Sequence, residues 1–266
     1  MFTRRLAAHV VTERDDVAYV VSVGDDGPGR ALTIFGTTPE FDVMPRALSI
    51  LHSNGTPTDG TVLVDVGANI GTTSLPAVQQ HGFGRSIAIE PERENVRALR
   101  ASVALNELED RIDVVVAAAG AEPGTAPFRR GKRTRNGWRA GAGRLGVEGE
   151  DVETVPVVTV DGELASRNVR PDRVGMLWID VQGHEGHVLA GAPGLVRRAC
   201  PVVFAVRPRK LARAGSLALL IELIRSRYAY VVDLRHGDCV PRPADRVEAV
   251  IGSTTTSDIL AFGRRS

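Results

Sequence analysis

The chain has few cysteines and no long apolar run, and both features narrow its class. Its 266 residues include two cysteines, Cys200 and Cys239, whose spacing matches neither a CxxC pair nor a metal site. No apolar stretch approaches the roughly 20 residues that a membrane-spanning helix needs. The first residues are too short of apolar side chains to form a secretory signal. These features predict a soluble cytoplasmic protein without a membrane partner.

The chain also lacks an excess of charge of either sign. Its formal net charge is +1, and charged residues make up 24% of it. This composition is ordinary for a globular protein and predicts no general attraction to nucleic acid. Hydrophobic residues account for 43% of the chain, which is enough to form a sizeable core. The length fits one large domain, or one domain with a small appendage.

Residues 1–58 are predicted to form a β-hairpin and a helix that pack on the larger core. Residues 17–23 and 31–35 have strand character and flank a turn rich in glycine and aspartate. Residues 42–53 then repeat apolar side chains at helical spacing.

From residue 59 onward, β-branched runs alternate with helical patterns, which indicates βαβ units. The predicted core strands are residues 61–66, 86–90, 112–119, 175–181, 202–206, 228–234 and 258–263. Helices are predicted up to about residue 80 and over residues 94–108, 184–198 and 217–226. We therefore expect one Rossmann-like α/β domain over residues 59–266, with a seven-stranded, mainly parallel sheet and helices on both faces.

A glycine-rich turn follows the first predicted core strand. Gly67 and Gly71 enclose Ala68-Asn69-Ile70 at a helix start, where backbone N–H groups can face a ligand. Asp65 precedes the turn, and a carboxylate there suits a ligand with a positive centre better than a diphosphate. Asn69 stands where a dinucleotide-binding loop has its second glycine, so the turn disfavours NAD.

Glu90 ends the next predicted strand, 23 residues after Gly67, and Pro91 follows it. An acid at this position can accept hydrogen bonds from both hydroxyls of a ribose. Taken alone, Glu90 is better explained as a solvated charge at a strand end. Together with the glycine-rich turn, it indicates a cofactor that contains adenosine, which either NAD or S-adenosylmethionine would supply.

Two motifs in this order resemble the FkbM family of methyltransferases. The first is VDVGANIG at residues 64–71 with IEP at residues 89–91, and the second is WIDVQGHE at residues 178–185 with VLAGA at residues 188–192. The resemblance covers roughly residues 59–208 and implies a class I methyltransferase fold that uses S-adenosylmethionine. It implies a cofactor site lined by Asp65, Gly67, Ala68, Asn69, Gly71, Glu90 and Pro91.

Three positions on the acceptor side depart from the family pattern. Trp178 stands where the family has a lysine, and Gln182 replaces a glutamate of the second motif. Residues 202–206 end in Ala205-Val206, where relatives often carry a glutamate. Because relatives mostly methylate hydroxyls of sugars and natural products, the resemblance implies O-methylation of a small-molecule hydroxyl in natural product biosynthesis.

Asp180 and His184 are the candidate catalytic residues. Asp180 ends the fourth core strand, where this fold places chemistry, although an aspartate there can also cap the following helix. His184 follows closely, and a histidine can take up a hydroxyl proton near neutral pH. Gln182, Glu185 and His187 are candidate substrate contacts, with a structural role on the helix favoured for His187. The spacing matches no dedicated metal motif, so a divalent metal is compatible but is not predicted.

Residues 120–150 interrupt the alternation of strands and helices. This segment is rich in glycine and arginine, with one short strand expected at residues 126–129 and another at residues 152–160. Its basic residues could grip RNA, but the balanced charge of the chain favours a partner other than nucleic acid. We predict a lid over the acceptor instead, in which Asn136 and Trp138 contact the substrate.

The alternatives differ in how well the residues support them. An NAD-dependent oxidoreductase would need a Tyr-x-x-x-Lys pair, which Tyr19, Tyr228 and Tyr230 do not form. An N-methyltransferase would carry N/D-P-P-Y/F after the fourth strand, where this chain has Asp180-Val181-Gln182-Gly183. A non-catalytic partner or regulatory protein that binds S-adenosylmethionine stays open, because Gln182 alters the acceptor side. The oligomeric state is not predicted.

Overall fold

The computed structural model describes residues 9–22, 28–38, 40–129, 133–134, 137–138, 144–146 and 152–264. In these ranges a central sheet lies between two helical layers, each with its own cluster of buried apolar side chains. Of the helices described, none is long and apolar enough to cross a membrane.

The N-terminal segment forms a hairpin followed by two helices. Its elements are β1 (His9–Arg14), β2 (Val17–Ser22), α1 (Pro28–Phe35) and α2 (Glu40–Ser53). Asp15 and Asp16 have φ of 49° and 64°, which matches the two-residue turn that suits the twist of hairpin strands. The hairpin prediction was wrong in one strand, because residues 31–35 lie in α1 and β2 pairs with β1 instead. The helix predicted over residues 42–53 is present as α2.

The first half of the central sheet follows a regular βαβ order. Its elements are β3 (Val62–Val66), α3 (Ser74–Gln79), β4 (Arg85–Ile89), α4 (Arg93–Leu105) and β5 (Ile112–Val115). The three strands are parallel, and most of their residues are buried. The side chain of Glu92 caps α4 by accepting a hydrogen bond from the backbone N–H of Asn95 at 2.8 Å.

A second, smaller sheet follows the third core strand. The elements are β6 (Ala118–Ala119), β7 (Gly124–Arg129), β8 (Arg133–Thr134), β9 (Gly137–Trp138), β10 (Arg144–Leu145), β11 (Val152–Val158) and then α5 (Val160–Ser166). Strands β10, β7, β11 and β6 pair in this order. The single strand predicted over residues 112–119 is therefore divided, because its last residues leave the central sheet to pair with β11.

The C-terminal half completes the central sheet. Its elements are β12 (Val174–Ile179), α6 (Glu185–Ala190), α7 (Pro193–Arg197), β13 (Val202–Val206), α8 (Pro208–Arg213), α9 (Leu217–Arg227), β14 (Tyr228–Asp233), β15 (Arg242–Pro243), α10 (Val247–Gly252) and β16 (Ser257–Arg264). The single helix predicted over residues 184–198 is divided into α6 and α7. The break precedes Pro193, which has no N–H for a helical hydrogen bond and disfavours helical geometry in the residue before it.

The central sheet has the order β15-β14-β16-β13-β12-β3-β4-β5, and β16 runs antiparallel to both of its neighbours. The predicted α/β class with helices on both faces is confirmed. The strand count was wrong, because the sheet has eight strands and not seven. The additional strand, β15, consists of two exposed residues at the sheet edge, so it leaves no apolar alternation in the sequence.

The order of the strands determines where a ligand site can form. The chain adds β4 and β5 on one side of β3 and β12 and β13 on the other, so the direction of winding reverses between β3 and β12. In open α/β sheets, ligands bind beyond the carboxyl ends of the strands at such a reversal. The division of the chain at residues 58 and 59 stays a prediction.

Side chains of α4 and its C-terminal cap bind the outer edge of β2. The Oδ1 atom of Asn106 accepts from the backbone N–H of Ala18 at 2.9 Å, and its Nδ2 donates to the Ala18 carbonyl at 2.7 Å. The hydroxyl of Ser102 accepts from the N–H of Val20 at 2.9 Å. These side chains take the place of a third strand beside the hairpin, and they attach the N-terminal segment to the core.

We expect Asn106→Leu to lower the free energy of unfolding by about 2 kcal/mol, because it leaves the part-buried N–H and C=O of Ala18 without partners. The measurement is urea unfolding followed by circular dichroism. The exposed Asn54→Ala variant is the control and should change the free energy by less than about 0.5 kcal/mol. Equal unfolding midpoints for the two variants would contradict this account of the attachment.

Candidate functional site

A cavity of about 450 Å³ lies at the carboxyl ends of β3, β4 and β12, where the winding reverses. Glu90 and Pro91 belong to its wall on one side of the reversal, called the β4 wall. Asp180, Gln182 and His184 belong to its wall on the other side, called the β12 wall. Predicted site residues that line it are Gly67, Asn69, Glu90, Pro91, Asp180, Gln182 and His184. The structure therefore brings together residues of both sequence motifs.

Gly67 permits the close approach of the strands at this point. It has φ of +88°, and a Cβ atom on it would lie 2.1 Å from the carbonyl oxygen of Asp180. Its own N–H donates to the carbonyl of Ile89 at 2.9 Å, and the N–H of Asp180 donates to that of Val66 at 2.9 Å. Any larger residue would push the ends of β3 and β12 apart.

Glu90 is the centre of a hydrogen-bond network on the β4 side. Its Oε2 atom accepts from the backbone N–H of Asn69 at 2.9 Å. Its Oε1 atom accepts from the N–H of Glu92 at 2.9 Å and from Nδ2 of Asn95 at 3.2 Å. Burial raises the pKa of Glu90 to about 7, although these hydrogen bonds favour the ionised form. The carboxylate is thus held in one orientation at the cavity wall.

The same wall offers further hydrogen-bond acceptors and an apolar surface. The Oδ1 atoms of Asn69 and Asn95 are buried and have no hydrogen-bond partner among the described residues. Residues 117–119 and Phe128 line the cavity nearby. A buried oxygen without a partner is costly, so a ligand that donates hydrogen bonds would stabilise this wall. The arrangement suits a nucleoside, which combines donor groups with a flat ring.

Asp180 has one restrained oxygen and one available oxygen on the opposite wall. Its Oδ1 atom accepts from Nη1 of Arg207 at 2.9 Å and from Nε2 of Gln182 at 2.8 Å. Lys210 donates in turn to the side-chain oxygen of Gln182. Within the described residues, Oδ2 of Asp180 has no hydrogen bond, and the side chain is 25% exposed. A ligand in the cavity can therefore reach this oxygen.

Arg207 stays cationic beside Asp180. Burial tends to lower the pKa of the guanidinium, but the surrounding carboxylates, Asp180 most strongly and then Asp258 and Glu185, together raise it. The partly buried pair limits the rotation of the carboxylate because the guanidinium donates in a fixed direction.

His184 is the second protein base at this wall. Its Nε2 atom lies 3.2 Å from the carbonyl oxygen of Leu145. Because a carbonyl only accepts, Nε2 carries the proton and the lone pair is on Nδ1. Burial, together with the neighbouring His187, lowers the pKa of His184 below its ordinary value. The ring is therefore neutral near pH 7 and able to accept a proton.

Three residues predicted for the cofactor site lie behind the cavity lining. Asp65 is 1% exposed and accepts from the Ser74 hydroxyl at 2.6 Å. Ala68 is also buried, and Gly71 packs tightly against Leu75. They lie beneath the turn and support it, and their contact with a cofactor stays a prediction.

Of the predicted substrate contacts, Gln182 lines the cavity, whereas Glu185 and His187 do not. Glu185 is 1% exposed, and its carboxylate accepts from the N–H of Gly183 at 3.1 Å, so it supports the turn behind the cavity. The ring of His187 lies 3.1 Å from the Ala214 carbonyl, in keeping with the structural role favoured for it. Asn136 lies outside the described residues, and of Trp138 the structure describes only the backbone, in β9.

Several lining residues were missed by reasoning from the sequence. Arg207 follows directly after β13, and its place at a strand end was a usable signal. The signal for Asn95 was weaker: this residue lies five positions after Glu90. Residues from the N-terminal segment and from the end of β14 carried no signal, because only packing brings them to the cavity. They are Pro28, Ala31, Thr38, Glu40 and Arg235.

Among the described residues, no three or more His, Cys, Asp and Glu side chains are grouped so that they could hold a metal ion. Near the cavity, Asp180 is paired with Arg207 and Glu185 faces a backbone N–H.

Comparison with known proteins identifies one matching family model. The model of the methyltransferase FkbM domain matches residues 65–232, which include both walls of the cavity. Among curated proteins, none matches the chain.

Solved structures give fold-level likenesses. A methyltransferase FkbM from Methylobacillus flagellatus KT is 17% identical, with a TM-score of 0.47, over 77% of this chain and 44% of that one. TYW2 from M. jannaschii, in complex with AdoMet, is 10% identical, with a TM-score of 0.48, over 98% of this chain and 88% of that one. TYW2 from P. horikoshii, in complex with MeSAdo, is 13% identical, with a TM-score of 0.45, over 97% and 72%. This chain thus spans less than half of the M. flagellatus protein.

Asp65 provides a test of the electrostatics beneath the site. Burial raises its pKa from 3.8 to about 7, so folding favours the protonated form and this contribution to stability is lost as pH rises toward and through 7. Asp65→Asn removes that loss. From pH 5 to pH 8, its free energy of unfolding should therefore rise relative to that of the wild type by roughly 2 kcal/mol. Urea unfolding at the two pH values measures the difference.

The control for this experiment is Asp110→Asn, which removes a carboxylate from the exposed surface. Its pH dependence should equal that of the wild type. A constant difference between Asp65→Asn and the wild type at both pH values would show that Asp65 is not protonated on folding.

Proposed function

The chain belongs to the methyltransferase FkbM family, and we propose that it transfers a methyl group from S-adenosylmethionine to a hydroxyl of a small molecule, such as a sugar or a secondary-metabolite alcohol. The observation that carries the proposal is one cavity that joins Glu90 on its β4 wall to Asp180 on its β12 wall. Donor and acceptor would meet between these two carboxylates.

The residues of the β4 wall fit the adenosine of this cofactor. Glu90 can accept from both ribose hydroxyls, as an acid at this position does in related folds. The Oδ1 atoms of Asn69 and Asn95, which have no partner among the described residues, can accept from the remaining donor groups. Residues 117–119 offer an apolar surface to the adenine. The N–H of Asn69 already binds Glu90 at 2.9 Å, so the carboxylate is oriented before the cofactor arrives.

Bound S-adenosylmethionine would supply a methyl group that its sulfonium already activates. The protein must then align the acceptor hydroxyl and remove its proton. We assign the hydroxyl proton to Oδ2 of Asp180, which has no hydrogen bond in the described part of the chain, because Oδ1 is occupied by Arg207 and Gln182. Arg207 and Gln182 would then fix the direction of the carboxylate, and Lys210 would fix Gln182.

His184 is the alternative base. Its neutral ring has a lone pair on Nδ1, and it also lines the cavity. The Leu145 carbonyl that orients the ring belongs to the small second sheet, and Phe128 of the same sheet reaches the cavity. These contacts support the proposal that the small second sheet, through Phe128 and Leu145, covers the acceptor.

Two other functions are outcomes of the same experiments. An RNA acceptor is a different class of substrate. The cations at the cavity are paired with acids, Arg207 with Asp180 and Arg235 with Asp258, and this mixed charge supports a small molecule instead. A non-catalytic binding protein would hold the cofactor without transferring its methyl group. Location in the cytoplasm and a role in natural product biosynthesis stay predictions from the sequence.

The cofactor assignment predicts that Glu90→Gln weakens binding of S-adenosylmethionine by about 10- to 100-fold, because ribose hydroxyls lose an ionised partner. Isothermal calorimetry measures the affinity, with NAD as the competing ligand. The control is Glu94→Gln, which removes a partly exposed carboxylate paired with Arg97 on the surface of α4. A folded Glu90→Gln protein with unchanged affinity would exclude the ribose role, and binding of NAD alone would overturn the cofactor.

The catalytic assignment predicts that Asp180→Asn lowers kcat by about 100-fold or more, because asparagine cannot take up the proton. Affinity for S-adenosylmethionine should change by less than about twofold. The assay follows transfer of a tritiated methyl group to a panel of sugars and polyketide alcohols, with total tRNA as the other acceptor class.

The matched variant for this test is His184→Asn, which removes the alternative base at the same wall. A large loss of kcat in His184→Asn and none in Asp180→Asn would move the base role to His184. Methylation of tRNA alone would overturn the small-molecule proposal. Binding of the cofactor without transfer to any acceptor in either class would favour the non-catalytic alternative.

A further inference from the structure

We propose that Glu40, assisted by Thr38, binds the ammonium group in the amino-acid portion of the methyl donor. This inference rests on the proposed cofactor and adds a subsite from the N-terminal segment, outside the family match over residues 65–232. Both residues line the cavity described above. The chemical group they fit is a cation that donates several hydrogen bonds.

Glu40 is a carboxylate at the cavity without a counter-ion among the described residues. Its Oε2 atom is buried and has no hydrogen-bond partner there. Glu40 is the first residue of α2, a helix of 14 residues, and the N-terminal end of a helix favours an ionised acid. A charge that is partly buried and unpaired is unfavourable, so a cationic ligand group would be stabilised beside it.

Thr38 supplies a second, independent acceptor. It is 2% exposed, and its hydroxyl oxygen is buried without a partner in the described part of the chain. Among the described residues from the N-terminal segment that line the cavity, Glu40 and Thr38 are the two with a buried side-chain oxygen that has no hydrogen-bond partner. A hydroxyl next to a carboxylate suits an ammonium group, which has three N–H donors and no acceptor.

The surrounding charges also favour a cation. Glu40 lies close enough to Asp65 and Asp258 to raise the pKa of each of them, although burial is the larger cause for both. The nearby guanidinium groups are already engaged, since Arg207 is paired with Asp180 and Arg235 with Asp258. The N-terminal wall therefore keeps a negative charge that no described cation neutralises.

The position of this wall indicates which ligand group reaches it. Glu90 would hold the ribose at the β4 wall, and the turn at Gly67 lies over the adjacent strand end. Glu40, Gly67 and Glu90 all line this one cavity, so the strand end at Gly67 opens into the space that both walls share. A ligand anchored by its ribose at Glu90 would thus extend its amino-acid portion across the turn toward Glu40.

The test compares two ligands that differ in the ammonium group alone. They are S-adenosylhomocysteine and its deaminated analogue, in which hydrogen replaces the ammonium group. We expect Glu40→Gln to weaken binding of S-adenosylhomocysteine by about 10- to 100-fold in calorimetry with the full chain. Its affinity for the deaminated analogue should change by less than about twofold. Thr38→Val should produce the same selective loss at a smaller, severalfold size.

Asp42→Asn is the matched control, because it removes the same charge from an exposed position on the same helix. It should leave both affinities unchanged, and circular dichroism should show that every variant is folded. Equal losses for both ligands in Glu40→Gln, or no loss for either, would overturn the ammonium assignment while leaving the cofactor proposal intact. Failure of the wild type to bind either ligand would overturn the cofactor proposal and this inference with it.

Discussion

The backbone contact between Gly67 and Asp180 is the constraint on which the rest of the site depends. A Cβ atom at position 67 would lie 2.1 Å from the Asp180 carbonyl oxygen, so β3 and β12 can end side by side only with glycine there. This contact lies where the winding of the sheet reverses, which leaves a crevice between the neighbouring helices. Glu90 and Asp180 thereby face one cavity although 90 residues separate them in the chain.

Charge at the cavity is distributed unevenly between its walls. On the β12 side, Arg207 and Lys210 restrain Asp180 and Gln182, so positive charge is present although Trp178 replaces the family's usual lysine. On the β4 side, backbone and amide N–H groups bind Glu90, and among the described residues no cation pairs with it. The β12 wall is thus organised by ion pairs and the β4 wall by neutral donors. A substitution on one wall is therefore expected to affect one ligand more than the other.

Residues next to strand ends were predictable because two short motifs place them there. The turn from Gly67 and the segment after Asp180 each combine a buried strand with local turn chemistry, and the structure confirms the fold they indicate. The hairpin prediction was wrong because it depended on identifying the turn residues correctly. The turn at Asp15 and Asp16 uses left-handed backbone at residues other than glycine, whereas the glycine-rich segment that was taken for the turn precedes a helix.

The sequence alone determined the α/β fold, the family, the glycine-rich turn and the acids at the ends of two strands, because each depends on neighbours within a few residues. The tertiary structure alone decided which of those residues reach the cavity. It buried Asp65 against Ser74, directed Glu185 toward a backbone N–H and brought Thr38, Glu40 and Arg235 to the wall. These placements depend on helices packing across the sheet, and contacts between distant segments leave no periodic pattern in a single chain.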